Sequence, residues 1–280
     1  MIQQLLQLIM GQLVAGMAGQ MDTPASRITL GPVESPPLTA RPRVALEAAN
    51  LALKHSVGDD STGQPRSLEA RERIPVNAGN PSAPYVLGNP PLDGTVSVRA
   101  VYDEGLVSEY SRDLVPVTEF SVSVPAKSVV LTKDIAGAKA LRIGYSYVGN
   151  ATMKEFDQEF RITFYLNGTA DTDRWVGLTA AIVQSQQALL LDQFNFQTPT
   201  SFAANNYTCQ VFLQKVKLLR IESLPRVAGQ AAADVVIGMS FLATGQMRLG
   251  QSAVAGFGII QSIHTRGASG SGVVIKPGLG

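Results

Sequence analysis

Apolar residues recur at three- and four-residue steps over the first 21 positions of the chain. They are Ile2, Leu5, Leu6, Ile9, Leu13 and Met17. This spacing places them on one side of a helix and predicts an amphipathic helix over residues 1–22. The opposite face carries Gln3, Gln7 and Gln12 and no charge. An uncharged polar face suits contact with another subunit, whereas packing of the helix on its own domain is the alternative.

The region that follows changes from helical to extended character. Prolines recur between Thr23 and Pro42, where they remove backbone donors and favour extended geometry. The segment Arg43 to His55 is ambiguous, because its alanines favour a helix while its leucines also fit a strand. Residues 23–94 are therefore predicted to form an extended arm and the first half of a core.

Strict alternation dominates the stretch from Asp113 to Gly149. Phe120, Val122 and Val124 alternate with serines, and a second run of alternating apolar residues begins at Leu141. The pattern predicts three short strands in an antiparallel meander. Together with a strand over Thr95–Tyr102, it predicts an inserted β module at residues 95–150.

The remainder, residues 151–264, is predicted to complete the core. Phe156 to Leu166 alternates as a strand, residues 172–194 change to a helical period of about four turns, and two long strands follow at 208–223 and 234–244. The last of these is apolar on both faces and is expected to be central in the sheet. The glycine-rich tail, residues 265–280, is expected to become ordered only against a partner.

These elements predict an α+β fold that is mostly β. The expected architecture is a mixed sheet with one or two packed helices plus an inserted small antiparallel β module.

Composition narrows the possible functions. The net charge is +1 and charged residues make up 16% of the chain, below the roughly 25% of an ordinary domain, which favours extensive burial against partners. Near-neutrality argues against sequence recognition of nucleic acid and against a membrane surface. The N-terminal segment has no basic residue, so it predicts neither a secretory signal nor a membrane span.

Residues that could carry chemistry are sparse. His55 and His264 have no ligand partner at metal-binding spacing, and Cys209 is predicted to be a buried small side chain. Asp171 and Asp173 are better explained as helix caps than as a calcium loop. We therefore predict no catalytic residue, no cofactor-binding residue, no metal site and no cofactor, and the chain is not expected to be an enzyme.

Basic residues on one of the long strands predict a surface, not a nucleic-acid site. Lys215, Lys217 and Arg220 lie on the first long strand without interleaved aromatic side chains. They are interpreted as a solvated strand face.

Two stretches have a familiar pattern. DEGLVSEYSRDLVPVTEFSVSV and VVLTKDIAGAKALRIGYSYVG resemble small β modules of bacteriophage tail, neck and baseplate proteins. The start, MIQQLLQLIMGQLV followed by RITLGPVESPP, is similar to phage tail-terminator proteins. The resemblance implies a virion structural protein made in the host cytoplasm, located in the tail or neck, that forms a homo-hexameric ring with other tail proteins as partners. It carries over no catalytic residue.

The interface of such a ring is predicted to use the first helix and the tail. The residues concerned are Ile2, Leu5, Leu6, Ile9, Leu13, Val273, Val274 and Ile275. A baseplate component, such as a sheath initiator or wedge protein, is the alternative within the same class. An alternative of another class is a β-sandwich module that binds carbohydrate or a host surface through stacking tyrosines. The candidate tyrosines are Tyr85, Tyr102, Tyr110, Tyr145 and Tyr147.

Overall fold

The computed structural model describes most of the chain. The described residues are 2–32, 41–54, 66–105, 108–169, 172–196, 200–202, 207–224, 235–252, 260–265 and 273–277. The helices are α1 (Ile2–Gly16), α2 (Pro24–Arg27), α3 (Thr172–Ser185) and α4 (Gln187–Asn195). The strands are β1 (Ile28–Leu30), β2 (Arg43–Lys54), β3 (Arg66–Pro75), β4 (Tyr85–Val86), β5 (Ser97–Tyr102), β6 (Tyr110–Asp113), β7 (Phe120–Ser123), β8 (Ser128–Leu131), β9 (Ala140–Leu166), β10 (Thr200–Phe202), β11 (Tyr207–Ser223), β12 (Val235–Ser252), β13 (Ile260–Thr265) and β14 (Val273–Pro277).

One strand of 27 residues, β9, is the spine of the molecule. Along residues 155–165 it lies between β2 and β12, and the sheet continues in the order β1-β2-β9-β12-β11-β10. Along residues 140–144 it lies between β3 and β5 instead. The register shows on which side of β9 each strand lies. Gly149 pairs with both β3 and β12, so these two strands lie on opposite sides of β9. β3 therefore lies on the same side of β9 as β2 and follows it along that side.

The first hydrophobic core lies between the helices and the second half of β9. Phe160 of β9 stacks on Phe241 of β12 with ring centroids 5.1 Å apart. Trp175 of α3 and Phe194 of α4 pack into the same core, together with the apolar face of α1. A Cβ on Gly16 would lie 2.6 Å from the end of the Ile182 side chain, so a larger residue at position 16 would require Ile182 to shift.

The second hydrophobic core lies on the opposite face of β9. Here Leu141, Ile143, Tyr145 and Tyr147 pack against β3, β5 and the small three-stranded sheet β4-β8-β7. These residues have odd numbers, whereas the helix-facing residues from Phe156 to Leu166 have even numbers. Because β9 pairs with β3 and with β12 without a register shift, its odd and even residues point to opposite faces. The helical layer and the β module therefore cover opposite faces of one sheet.

The predicted fold class is confirmed: the structure is α+β and mostly β, with helices on a mixed sheet. The central place of β12 is also confirmed, and a helix begins the chain as predicted, although α1 ends at Gly16 and not at residue 22. The ambiguous segment after residue 43 is the strand β2. The tail is described at Thr265, the last residue of β13, and at residues 273–277, where β14 pairs with β13.

Several predicted boundaries were wrong. The module boundary at residue 150 falls inside β9, because the backbone pairing with β12 begins at Gly149 and continues to Leu166. The third strand of the expected meander is the first half of β9, which pairs with β3 and β5 and not with β8. The single helix predicted for residues 172–194 is two helices, α3 and α4, separated at Gln186.

Candidate assembly site

A buried arginine connects the β module to the helical layer. Arg142, on β9, is 3% exposed, and its guanidinium donates to Glu109 Oε1 and to Asp192 Oδ2 of α4 at 2.5 Å each. The Glu109 side chain is only 1% exposed. Removing these charges from water is costly, and the cost is offset only while all the partners stay in place. We call this group, with the neighbours Arg99 and Gln193, the junction.

The neighbours of the junction complete the hydrogen bonding of its carboxylates. Arg99 of β5 donates to the second oxygen of Asp192 at 2.5 Å. Glu109 Oε2 accepts from the Gln193 side chain and from the Gly105 backbone N–H, both at 2.8 Å. Strands β5 and β9, helix α4 and the loop before β6 are thereby held in one arrangement.

Arginine and phenylalanine side chains alternate beside the junction. Arg99 lies 4.7 Å from the centroid of Phe196, and Arg71 lies 5.6 Å from Phe196 and 5.5 Å from Phe212. Arg248 follows at 4.7 Å from Phe212. Each contact is a cation–π interaction worth about 0.5–1 kcal/mol at a partly exposed position. Sequence reasoning missed this stack because its five members come from five separate segments.

A groove of about 230 Å³ opens between α1 and the helices α3 and α4. We call it the glutamine groove. It is lined by Gln7, Leu8, Gly11, Gln12, Ala15, Gly16, Gly105, Ile182, Gln186, Leu189 and Gln193. Gly105 and Gln193 also bind Glu109, so the groove and the junction share a wall. The uncharged face of α1, which the sequence singled out, supplies Gln7 and Gln12 to this groove.

Two of the sheet strands expose apolar side chains along unpaired edges. On the side of β2 away from β9, β1 pairs only with residues 44–46, and no described strand lies beside residues 48–54. These residues expose Leu51 (49%) and Leu53 (57%). We call these seven residues the β2 edge.

The second unpaired edge is at the other side of the sheet. β10 pairs with residues 207–209 of β11. Side chains of α4 satisfy backbone groups of the residues that follow. Asn195 bonds both the N–H and the carbonyl of Leu213, and the Gln187 side chain accepts from the Val216 N–H. β12 pairs with one side of residues 217–223, and on the other side no strand of the described part of the chain lies beside them. We call this unpaired side the β11 edge. This edge exposes Leu219 (40%) and Ile221 (49%).

The predicted interface residues of α1 lie in the interior. Leu5, Leu6, Ile9 and Leu13 are at most 2% exposed and belong to the core of their own chain. These side chains cannot meet another subunit while α1 is docked, so the alternative left open by the sequence, a helix packed on its own domain, describes them. Ile2 packs at the margin of the same core. Val273, Val274 and Ile275 form part of β14, and only their backbone is described.

Other residues singled out by the sequence have structural positions. Lys215, Lys217 and Arg220 are exposed, as predicted for a solvated strand face. Cys209, predicted to be buried, is half-buried, and desolvation raises the pKa of its thiol. Asp173 lies in the first turn of α3, where a negative charge is favourable. His55 and Asp171 lie outside the described residues, as does the side chain of His264.

Most of the candidate sugar-stacking tyrosines are part of the second core. Tyr85, Tyr145 and Tyr147 are at most 5% exposed, so their rings cannot stack on a ligand. Tyr102 and Tyr110 stack on each other with centroids 4.8 Å apart. Three of the five tyrosines named for the carbohydrate-binding alternative are therefore core residues, because the strands turn them inward.

Glu72 and Tyr145 form a polar pair inside the β module. The Tyr145 hydroxyl donates to Glu72 and accepts from the Asn89 backbone N–H at 3.0 Å, while Glu72 also accepts from the Gly88 N–H at 3.0 Å. The pair thus fixes the loop at residues 88–89 on the sheet. Burial raises the pKa of Glu72 above its ordinary value, an effect that the hydrogen bonds from Tyr145 and Gly88 reduce. Burial, followed by the charge of Glu72, also raises the pKa of Tyr145.

We expect the Glu72 pair to make stability depend on pH. The folded protein holds the Glu72 proton more tightly than the unfolded chain does. The stabilisation that results is fully present below the ordinary pKa of 4.5 and is lost as the pH rises through the raised pKa of the folded state. Glu72→Gln keeps an acceptor for Tyr145 and Gly88 but removes the titration. Urea unfolding of both proteins should show the wild type losing stability relative to the variant as the pH rises from 4.5. A difference that stays constant with pH would contradict this.

The described residues contain no group of three or more histidine, cysteine, aspartate or glutamate side chains placed to hold a metal ion. Among the described helices, none has the length and hydrophobicity required to cross a membrane.

No model of a known protein family matches the chain, and no curated protein matches it either.

Proposed function

We propose that this protein is a structural component of the virion of a tailed bacteriophage, a ring-forming tail-terminator or neck protein that joins the tail tube or sheath to its neighbours. Its role is structural, because identical subunits associate and together present a fixed surface to other tail proteins. The resemblance of the two β stretches and of the N-terminal segment to phage tail proteins gives the class. The arrangement of the sheet edges supports the mode of assembly.

The observation that carries the proposal is the pair of apolar edges. The β2 edge and the β11 edge belong to one sheet, with β9 and β12 between them. Edge strands that expose apolar residues are templates for pairing with another chain. A contact between two different edges of identical subunits is head-to-tail, and such a contact closes into a ring when the rotation between subunits allows it. We propose that the β2 edge of one subunit pairs with the β11 edge of the next.

Protective features on the β11 edge fit a controlled contact of this kind. Lys217 and Arg220 interrupt its apolar residues, and register shifts occur in β11 after Leu213 and after Leu218. Charges and bulges limit nonspecific pairing with arbitrary strands. A subunit with such an edge accepts a matching partner but resists open-ended aggregation.

The mass of the native protein in solution tests the proposal. For a hexameric ring, native mass spectrometry of the purified chain should give six times the mass of one chain, and negative-stain images should show closed rings. The mass should not increase further with concentration, since a closed ring has no unpaired edge left. A monomer at all concentrations, or open fibres of varying length, would contradict ring formation.

A further inference from the structure

The alternating arginine and phenylalanine side chains beside the junction form a rigid group. Its members are Arg99, Phe196, Arg71, Phe212 and Arg248, and we call them the arginine stack. Each guanidinium lies 4.7–5.6 Å from the centre of a ring that is itself only 7% exposed. Stacking on a fixed ring holds a guanidinium in one orientation and leaves the N–H groups, which lie in its plane, available to a ligand.

Two arginines of the stack keep N–H groups that the chain does not use. The Arg71 side chain is 31% exposed, and its Nε donates to Glu69 Oε1 at 2.7 Å. The Arg99 side chain is 27% exposed and donates to Asp192 through Nη2. Across the part of the chain that the structure describes, Arg71 Nη1 and Nη2 and Arg99 Nε and Nη1 make no hydrogen bond. The stack therefore offers unused donors on partly exposed side chains.

The junction shows that one guanidinium of this protein can bind two carboxylates. Arg142 donates from Nη2 to Glu109 and from Nη1 to Asp192, at 2.5 Å each. Arg71 has one carboxylate partner, Glu69, and an unused pair of Nη groups. Because two N–H groups of a guanidinium match the two oxygens of a carboxylate, Arg71 can bind a second carboxylate.

The charges beside the stack favour a carboxylate ligand over a polyanion. Arg71 and Arg99 each contact one carboxylate already, so the positive charge of the site is largely compensated. Nucleic acid binds mainly through uncompensated positive charge. In addition, the Glu69 side chain is 49% exposed and would repel a phosphate. A carboxylate instead gains from the N–H geometry that the stack holds in place.

We propose that Arg71 and Arg99 bind side-chain carboxylates of an acidic peptide segment in a partner protein. Both guanidiniums contact the same ring, since Arg71 lies 5.6 Å and Arg99 4.7 Å from the centre of Phe196. In an extended segment, side chains two residues apart share a face and are separated by about 6.6 Å. A segment with acidic residues at alternate positions can therefore reach both arginines. This surface uses no residue of the two sheet edges, and the inference goes beyond the proposed ring.

Saturation-transfer difference NMR of the full-length protein with a synthetic peptide tests the inference, because this method detects weak ligands of large proteins. The peptide Gly-Glu-Gly-Glu-Gly is acetylated and amidated, so its two side chains carry its only charges. The reference peptide has glutamine in place of both glutamates. We expect saturable binding of the glutamate peptide and no binding of the glutamine peptide.

Arg71→Gln should weaken binding of the glutamate peptide by about tenfold or more, because it removes the charged pair of donors. Arg174→Gln is the matched control. Arg174 also lies over an aromatic ring, 5.2 Å from the centre of Trp175, and donates to the neutral side chain of Gln20. Its loss changes the net charge equally and should leave binding unchanged. Arg71→Lys keeps the charge but not the planar pair of donors and should bind nearly as weakly as Arg71→Gln.

A variant that should bind more tightly shows that lost binding does not come from unfolding. Glu69→Gln removes the carboxylate that competes for Arg71, so the glutamate peptide should bind this variant more tightly than the wild type. The exposed position of Glu69 means that its ion pair contributes little to stability, and the fold should tolerate the change. Unchanged or weaker binding by Glu69→Gln would overturn the inference.

The remaining outcomes separate this site from other sites and from the proposed ring. Equal binding of the two peptides, or an equal loss in Arg71→Gln and Arg174→Gln, overturns the inference. So does tighter binding of a trinucleotide, which carries the same two negative charges, or equally tight binding of pentaglycine with a free C-terminal carboxylate. Peptide binding by a protein that forms no ring supports the site and contradicts the ring, whereas a ring of the expected mass without peptide binding does the reverse.

Discussion

Arg142→Ala is expected to lower the free energy of unfolding by about 3–5 kcal/mol, because removing one member of a buried ion pair leaves its partner charged and unsolvated. The partner is Glu109, whose side chain is 1% exposed and whose other bonds come from an amide side chain and a backbone N–H. Urea denaturation measures the loss. A decrease of this size is a large fraction of the stability of an ordinary domain.

Two further variants show whether the burial of the ion pair is responsible. Arg99→Ala should cost clearly less, since Arg99 is about a quarter exposed and Asp192 would keep its bond to Arg142. Replacing both buried partners, with Arg142→Met and Glu109→Leu, should recover much of the loss, because no unpaired charge then stays buried. If Arg142→Ala costs no more than Arg99→Ala, the junction does not hold the two layers together.

Charges placed on either sheet edge are expected to abolish assembly without unfolding the subunit. One variant carries Leu51→Lys with Leu53→Lys on the β2 edge, and the other carries Leu219→Lys with Ile221→Lys on the β11 edge. All four side chains are 40–57% exposed, so the folded monomer should tolerate lysine there. Lysine on an edge strand blocks pairing with another chain. Native mass should change from the ring to the monomer in both variants.

The control for the edge variants is a lysine on an exposed apolar residue away from both edges. Val86, on β4 of the small sheet, is 68% exposed, and Val86→Lys should leave the ring intact. Circular dichroism and thermal melting of each variant show whether the monomer stays folded. Rings that survive lysines on either edge would place the contact on another surface.

The sequence predicted the elements whose patterns are uniform along their length. The three- and four-residue spacing of α1 and the doubly apolar run in β12 each depend on one packing environment, and both appear in the structure as expected. The burial pattern of β9 changes instead, from odd residues such as Tyr145 to even residues such as Phe160, because the two layers cover opposite faces. In the sequence, a switch of the apolar positions from odd to even residues is the pattern expected of two separate strands. The Gly149-Asn150 pair, which is typical of a turn, favours the same interpretation.

The candidate site was only partly predictable, for reasons that lie in tertiary contacts. Gln7 and Gln12 could be identified from the sequence, because the absence of charged residues on this face of α1 can be read directly from it. The junction was not visible, because Glu109, Arg142 and Asp192 are far apart along the chain and each resembles a surface residue. The unpaired edges depend on which strands lie beside β2 and β11, and strand order cannot be read from periodicity.

Mixing the two edge variants tests the proposed head-to-tail contact most directly. The β2-edge variant keeps an intact β11 edge, and the β11-edge variant keeps an intact β2 edge. Each alone should be a monomer, and an equimolar mixture should give a dimer that contains one of each and grows no further, because the two remaining edges both carry lysines. Because leucine and isoleucine have the same mass, the two variants have equal masses, so one of them is labelled uniformly with ¹⁵N and native mass spectrometry then distinguishes the two chains. A mixture that stays monomeric, or either variant pairing with itself, would contradict the account.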